Sequence, residues 1–127
     1  MVASRFIYLS RFVCDGEVDK EAFMPDPKTR PLETSVIMHG DEGPDWGTGI
    51  TIGRKRKTPM ELVGVADTSD VDVQHVGLYI EPQPSTISKN HANIKGWDEE
   101  EKLKRLLQAA HLAATCKFFE CRRSYDK

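Results

Sequence analysis

Cysteine is scarce in this chain: Cys14, Cys116 and Cys121 are all that 127 residues contain. An odd number at such wide spacing builds no disulfide framework and points to a reducing, cytoplasmic compartment. Zinc sites usually draw on close pairs such as C-x-x-C, whereas Cys116 and Cys121 would fall on different sides of a helix. A Cys3His site with His39, His75, His91 or His111 is the alternative, but three ordinary thiols and no metal or other cofactor are expected. Long apolar runs are missing too. None approaches the ~18 residues that a membrane-spanning helix needs, so no membrane partner is expected. The start, Met1 to Arg5 leading straight into Phe6-Ile7-Tyr8-Leu9, is too soon interrupted for a secretory signal. Charge of one sign is not in excess either. Eighteen Lys and Arg face 20 Asp and Glu, a formal charge of −2, so a nucleic-acid partner would have to use a local patch. Internal repeats, low-complexity tracts and obvious linkers are absent as well.

What remains is the composition of one globular domain, with 39% apolar residues and enough chain to bury a core. Arg5 to Val13 is aromatic and β-branched and reads as a strand, bent near Ser10-Arg11, with a turn at Asp15-Gly16. Pro25, Pro27 and Pro31 forbid a regular ladder and predict an extended loop. Glu33 to Met38 is a second strand. From Gly43 to Gly53 the chain is punctuated by glycine; Pro44 could open a short helix, but Gly47 and Gly49 would each weaken it by ~1 kcal/mol. Leu62 to Ala66 reads as a buried strand ended by Asp67, and Thr68-Ser69-Asp70 offers N-caps for a short helix over Val71–Val76. Gly77 stops that helix, and Leu78-Tyr79-Ile80 and His91 to Lys95 are further extended segments. The clearest pattern is Leu103, Leu106, Leu107, Ala110 and Ala114, one apolar stripe of a helix expected from about Asp98 to about Phe118. Asp98 and Glu101 have capping-box spacing, with Asp in place of Ser or Thr. Lys102, Lys104, Arg105 and Gln108 fall on the opposite side, and a frayed tail is expected over about 119–127. These elements describe a single α+β domain, 1–127: a small mixed or antiparallel sheet of four to five short strands, packed by a long C-terminal helix.

Phe23-Met24-Pro25-Asp26-Pro27 with Thr34-Ser35-Val36, then Gly64-Val65-Ala66-Asp67, Val76-Gly77-Leu78 and His91-Ala92-Asn93-Ile94 with Gly96-Trp97, form a set of short signatures. The set resembles a group of small prokaryotic proteins of about this length, over roughly residues 5 to 117. Gly47, Gly49 and Asp98, the last standing where proline is expected, depart from that pattern. The resemblance implies a bacterial or archaeal, cytoplasmic, single-domain protein and carries no activity over.

Candidate chemistry is thin. The basic run Arg54-Lys55-Arg56-Lys57 could bind phosphates, though no aromatic interleaves it to stack on bases. A solvated loop is the plainer reading. Gly47-Thr48-Gly49 with Gly53 fits neither a phosphate loop nor a dinucleotide turn. His91 could act as a general base or bind a ligand, with Asn93 on the same strand face; equally, it could tie a loop to the sheet. His39, beside Asp41 at a strand end, could join it, and Arg5 is a further catalytic candidate. Arg5, Ser35 and Glu81 resemble the Arg…Ser…Glu layout of ADP-ribosyltransferases, in a chain short for that fold. That resemblance implies a phosphate-holding Arg, a ribose-supporting Ser and a Glu on the ribose hydroxyl. No G-x-S-x-G, H-E-x-x-H or paired acidic motif is present. Phe23-Met24, stiffened by prolines, is either a plug into the core or an exposed anchor for a partner.

The expectation is therefore a small non-enzymatic accessory module that contacts another protein, with Phe23 and Met24 as candidate binding residues. The alternative is a small enzyme centred on His91 and acting on a phosphate-bearing or nucleotide substrate. A third reading is nucleic-acid binding through Arg54 to Lys57.

Overall fold

The structure, a computed structural model, describes residues 7–13, 22–40, 43–54, 64–86 and 88–120. Its element order is β1 (Tyr8–Val13), β2 (Thr34–His39), α1 (Trp46–Arg54), β3 (Gly64–Ser69), α2 (Asp70–His75), β4 (Tyr79–Pro82), β5 (His91–Lys95), α3 (Lys102–Thr115) and β6 (Lys117–Glu120). The described strands form one antiparallel sheet in the order β4-β5-β2-β1-β3-β6. The domain is α+β, as expected, with six strands rather than four or five.

The extra strand lies where the helix was expected to continue. α3 ends at Thr115, and Cys116 takes an extended conformation that releases Lys117-Phe118-Phe119-Glu120 to pair with β3. Two adjacent aromatics favour a pleated, half-buried edge over another helical turn. So Phe119 and Glu120 belong to a strand, not to a frayed tail. The close approach of β6 requires Gly64: a Cβ there would stand 2.5 Å from the Phe118 ring and 2.6 Å from the Phe119 carbonyl oxygen.

Other boundaries follow from capping. Asp45 accepts hydrogen bonds from the Thr48 backbone N–H (3.0 Å) and hydroxyl (2.6 Å), capping α1 strongly enough to hold a helix that contains Gly47 and Gly49. Ser69 caps α2 by accepting from the Asp72 N–H, and Gly77, at φ +85°, turns the chain out of it. Asp98 accepts from the N–H groups of Glu100 and Glu101, so it closes a turn just before α3 instead of capping the helix. β3 runs on through Asp67 to Ser69, so Asp67 sits inside a strand and does not end one.

Strand alternation divides the sheet into two unlike faces. Leu9, Val13, Val36, Ala66, Ala92 and Ile94 point to one side and build the main core with Val73, Trp97, Ala109 and Leu112. Trp97 is buried and donates its indole N–H to the Ile94 carbonyl. Phe23, fully buried, plugs this core; Thr34 donates to its carbonyl and Arg11 to that of Ala22, fixing the segment over the sheet. On the other side, Phe12 joins Trp46 and Ile50 of α1 in a smaller apolar cluster. Buried Ile37 and Val65 lie on that face too, and polar side chains occupy much of the remainder.

Candidate functional site

The antiparallel registers place Tyr8, Ser10, Ser35, His39, Asp67, His91 and Asn93 on the polar face, and two histidine clusters form there. The first is buried. His39 Nε2 lies 2.7 Å from Asp67 Oδ2, and the Ser10 hydroxyl donates to Asp67 Oδ1 at 2.5 Å. His39 Nδ1 lies 2.8 Å from the Gly40 carbonyl, which can only accept, so Nδ1 carries a proton. Tyr8, directly opposite His39 in the register, stacks on its ring at 5.3 Å. Exposures of 9% for His39, 6% for Asp67 and 1% for Ser10 take the network out of water. Both ring nitrogens and both carboxylate oxygens are engaged, so the arrangement is closed: it presents no imidazole lone pair to a substrate.

Above it opens a pocket of about 530 Å³, with Tyr8, Val71, Phe119, Asp72 and Lys117 among its walls. Lys117 pairs with Asp67 in the β3–β6 register, and Asp72 is held at the N-cap of α2 by Ser69. One ammonium and one further carboxylate therefore border a floor in which the His39 ring and the Asp67 carboxylate already have partners.

The second cluster is open to solvent. His91 Nδ1 lies 2.7 Å from the backbone carbonyl of Gln83, so again Nδ1 holds the proton. This leaves Nε2 as an acceptor, and the hydroxyl of Ser35, an exposed residue, donates to it at 2.5 Å. Asn93, opposite Ser35 in the register, donates its side-chain amide to the side-chain oxygen of Gln83. Glu81 is opposite Asn93 on β4, so Glu81, Asn93 and Ser35 form one row across three strands. Glu81 binds Lys95 at 2.6 Å, with Glu33 at 3.7 Å, and the hydrogen bond to Glu81 raises the Lys95 ammonium above its ordinary range.

His39 and His91 do not combine. Buried Ile37, opposite His91, lies between them along β2; His39 reaches across β1 to Asp67, while His91 reaches to Ser35 and Gln83. His39 is partnered by Asp67; Asp41, like Arg5, Lys55, Arg56, Lys57, Cys14, Cys121 and the side chain of Arg54, lies outside the described residues. Phe23 is a core plug and offers nothing to a partner, because the proline-rich loop folds it inward; Met24 is partly buried against the same core. His111 stacks on His75 of α2 at 5.5 Å. Cys116 is half-buried, and burial, with the nearby Asp67 carboxylate, pushes its thiol up from the usual range. Among the described residues no three His, Cys, Asp or Glu side chains gather as metal ligands, and no helix is long and apolar enough to cross a membrane.

Sequence patterning misplaced one element by half a turn. The stripe of Leu103, Leu106, Leu107, Ala110 and Ala114 was expected to meet the core. Instead Gln108, Ala109 and Leu112 are the buried residues of α3, and Gln108 donates to the Val76 carbonyl. Leu103 and Leu107 are 68% and 64% exposed. The competing face Arg105, Gln108, Ala109 and Leu112 has helical spacing of its own, and small Ala109 lets the helix lie close on the sheet. Comparison with protein-family models, curated proteins and solved structures finds no match.

Proposed function

We propose that this protein is an accessory module that works by contacting another protein through the outer face of α3. The observation that carries the reading is the pair Leu103 and Leu107, two large apolar side chains one turn apart and about two-thirds exposed. Exposed Ala114 continues their line, and Leu106 and Ala110 border it. A helix that buries one face on its own sheet and presents a second apolar stripe to water has the form of half an interface. Lys102 and Lys104 flank Leu103 on either side, so the fitting partner is an amphipathic helix of another protein, with apolar residues every third or fourth position and carboxylates alongside.

The test places a photo-crosslinking amino acid at position 107 in the native host. A discrete adduct that disappears when Leu103→Glu is added, while the unfolding midpoint stays put, supports the reading. A heterogeneous smear, or an adduct indifferent to Leu103→Glu, overturns it. An adduct of the chain with itself replaces the foreign helix by a second copy.

A further inference from the structure

The Ser35–His91 pair lies on the sheet face away from α3 and has the parts of an activated nucleophile. The Gln83 carbonyl, 2.7 Å from Nδ1, fixes the tautomer that leaves Nε2 basic, and the Ser35 hydroxyl hydrogen-bonds to that nitrogen at 2.5 Å. This is the order nucleophile, base and orienting acceptor that acyl-transfer sites need, with a backbone carbonyl where a carboxylate often stands. The pair is held rigidly. Ser35 and His91 sit on hydrogen-bonded strands, the Gln83 N–H donates to the His91 carbonyl at 2.8 Å, and the Asn93 amide anchors the Gln83 side chain. Ser35 is exposed and His91 half-buried, so a reacting group can approach the hydroxyl, whereas Ser10 in the other cluster is 1% exposed and gives its proton to a carboxylate.

We propose that Ser35 is a catalytic nucleophile, with His91 as its general base, acting on carboxylic esters. The surroundings suit a neutral carbonyl better than a polyanionic phosphate: Glu81 lies in the same row, and Lys95 is already held by Glu81 and Glu33. In the acylation step the Oγ–C bond forms as the hydroxyl proton passes to His91 Nε2. The ester C–O bond then breaks, and the alkoxide leaves with that proton. Water, deprotonated by the same nitrogen, releases the carboxylic acid and restores Ser35.

The test uses the full chain with p-nitrophenyl acetate and with a biotinylated fluorophosphonate, whose P–F bond breaks as the Oγ–P bond forms. Intact mass and peptide mapping should put the adduct on Ser35, with no adduct in Ser35→Ala. Thr86→Ala, which removes another exposed hydroxyl, should leave the rate unchanged. Labelling in His91→Ala should slow about a hundredfold, the lower range for loss of a general base. Adducts on His91 itself, none on Ser35, or equal rates with and without His91 overturn the proposal. Should His91→Ala fail to fold, Ser35→Cys supplies a second readout. Its introduced thiol should react with iodoacetamide faster beside His91 than beside His91→Gln, and equal rates again overturn it.

Discussion

Two histidines on one face of one sheet meet opposite fates. His39 is buried, gives one nitrogen to a carbonyl and the other to a carboxylate that also accepts from Ser10, and so has nothing left to exchange. His91 is half-exposed, gives one nitrogen to a carbonyl and receives a serine hydroxyl on the other. The difference is one partner. With a carboxylate on Nε2, His39 has no open ring nitrogen and is part of the structure, whereas a hydroxyl donating to Nε2 leaves His91 a lone pair that can take its proton. Burial follows the same division, because a polar network tolerates loss of water only when its members are satisfied.

The sharpest way to break this contrast is to remove the central acceptor. Asp67→Ala strands the His39 Nε2 and the Ser10 hydroxyl in a site with almost no solvent, and breaking a buried pair by removing one partner costs about 3–5 kcal/mol. Urea unfolding at neutral pH should show a loss of that size, while Ser35→Ala, on the exposed pair, should stay within about 0.5 kcal/mol. Equal losses at the two sites would erase the distinction between closed and open. Replacing both His39 and Asp67 by apolar residues of similar volume should cost less than Asp67→Ala alone, because only the Ser10 hydroxyl, and no longer His39 Nε2 as well, is then left without its partner.

A smaller effect is expected from the strand that walls the pocket over His39. Gly64→Ala would drive a Cβ into Phe118 and the β6 backbone, so β6, with Lys117 and Phe119, must shift. Overpacking of this kind costs about 1–3 kcal/mol. Proton exchange should accelerate in β6 and remain unchanged at His91. Acceleration at both would mean that the two clusters share one cooperative support.

How much of this was legible in the sequence depends on what fixes each feature. β1, β2, α2 and β5 announce themselves through local composition and caps, and the α+β class follows from their order. His91 stood out as a candidate, and Asn93 was placed on its face by strand alternation alone. Its partner Ser35 was visible only as part of a different layout, because sequence spacing says nothing about which strands become neighbours. Asp67 and Ser10 were missed for the same reason: they are 57 residues apart and meet only through the β1–β3 register. An aspartate after an apolar run reads as a strand end, yet the strand continues because His39 and Ser10 satisfy its carboxylate. The rotation of α3 is the opposite failure. Periodicity found a real stripe, but two stripes compete on that helix, and tertiary packing chose the one with Ala109 and Leu112.

Acid should separate the outlying turn from both clusters. The backbone N–H groups of Glu101 and Glu100 hold the Asp98 carboxyl below its ordinary value. A lowered folded value means that its contribution is complete above the unfolded carboxyl range and disappears as pH falls through the folded value. The gap in stability between wild type and Asp98→Ala should therefore be steady at neutral pH and close in strong acid. Asp98→Asn, which keeps an acceptor for the two N–H groups, should lose less at neutral pH. A gap that persists unchanged to strong acid would show that charge is not what Asp98 contributes.

The smallest effect tests the charge at the closed site itself. Cys116 precedes β6, and its thiol is raised first by burial and then by the Asp67 carboxylate. A raised thiol is less often a thiolate at a given pH, so its alkylation is slow, and stability linked to it falls as pH rises through the folded value. Asp67→Asn removes the second cause and keeps the first. Followed by peptide mapping in mild alkali, iodoacetamide alkylation of Cys116 should quicken modestly in Asp67→Asn, while remaining slower than in the urea-unfolded chain. Ser10→Ala loosens the same network without removing its charge and should leave the Cys116 rate where it was. Quickening in both variants would trace the change to local opening, and the carboxylate that closes the His39 site would have no electrostatic reach to the neighbouring strand.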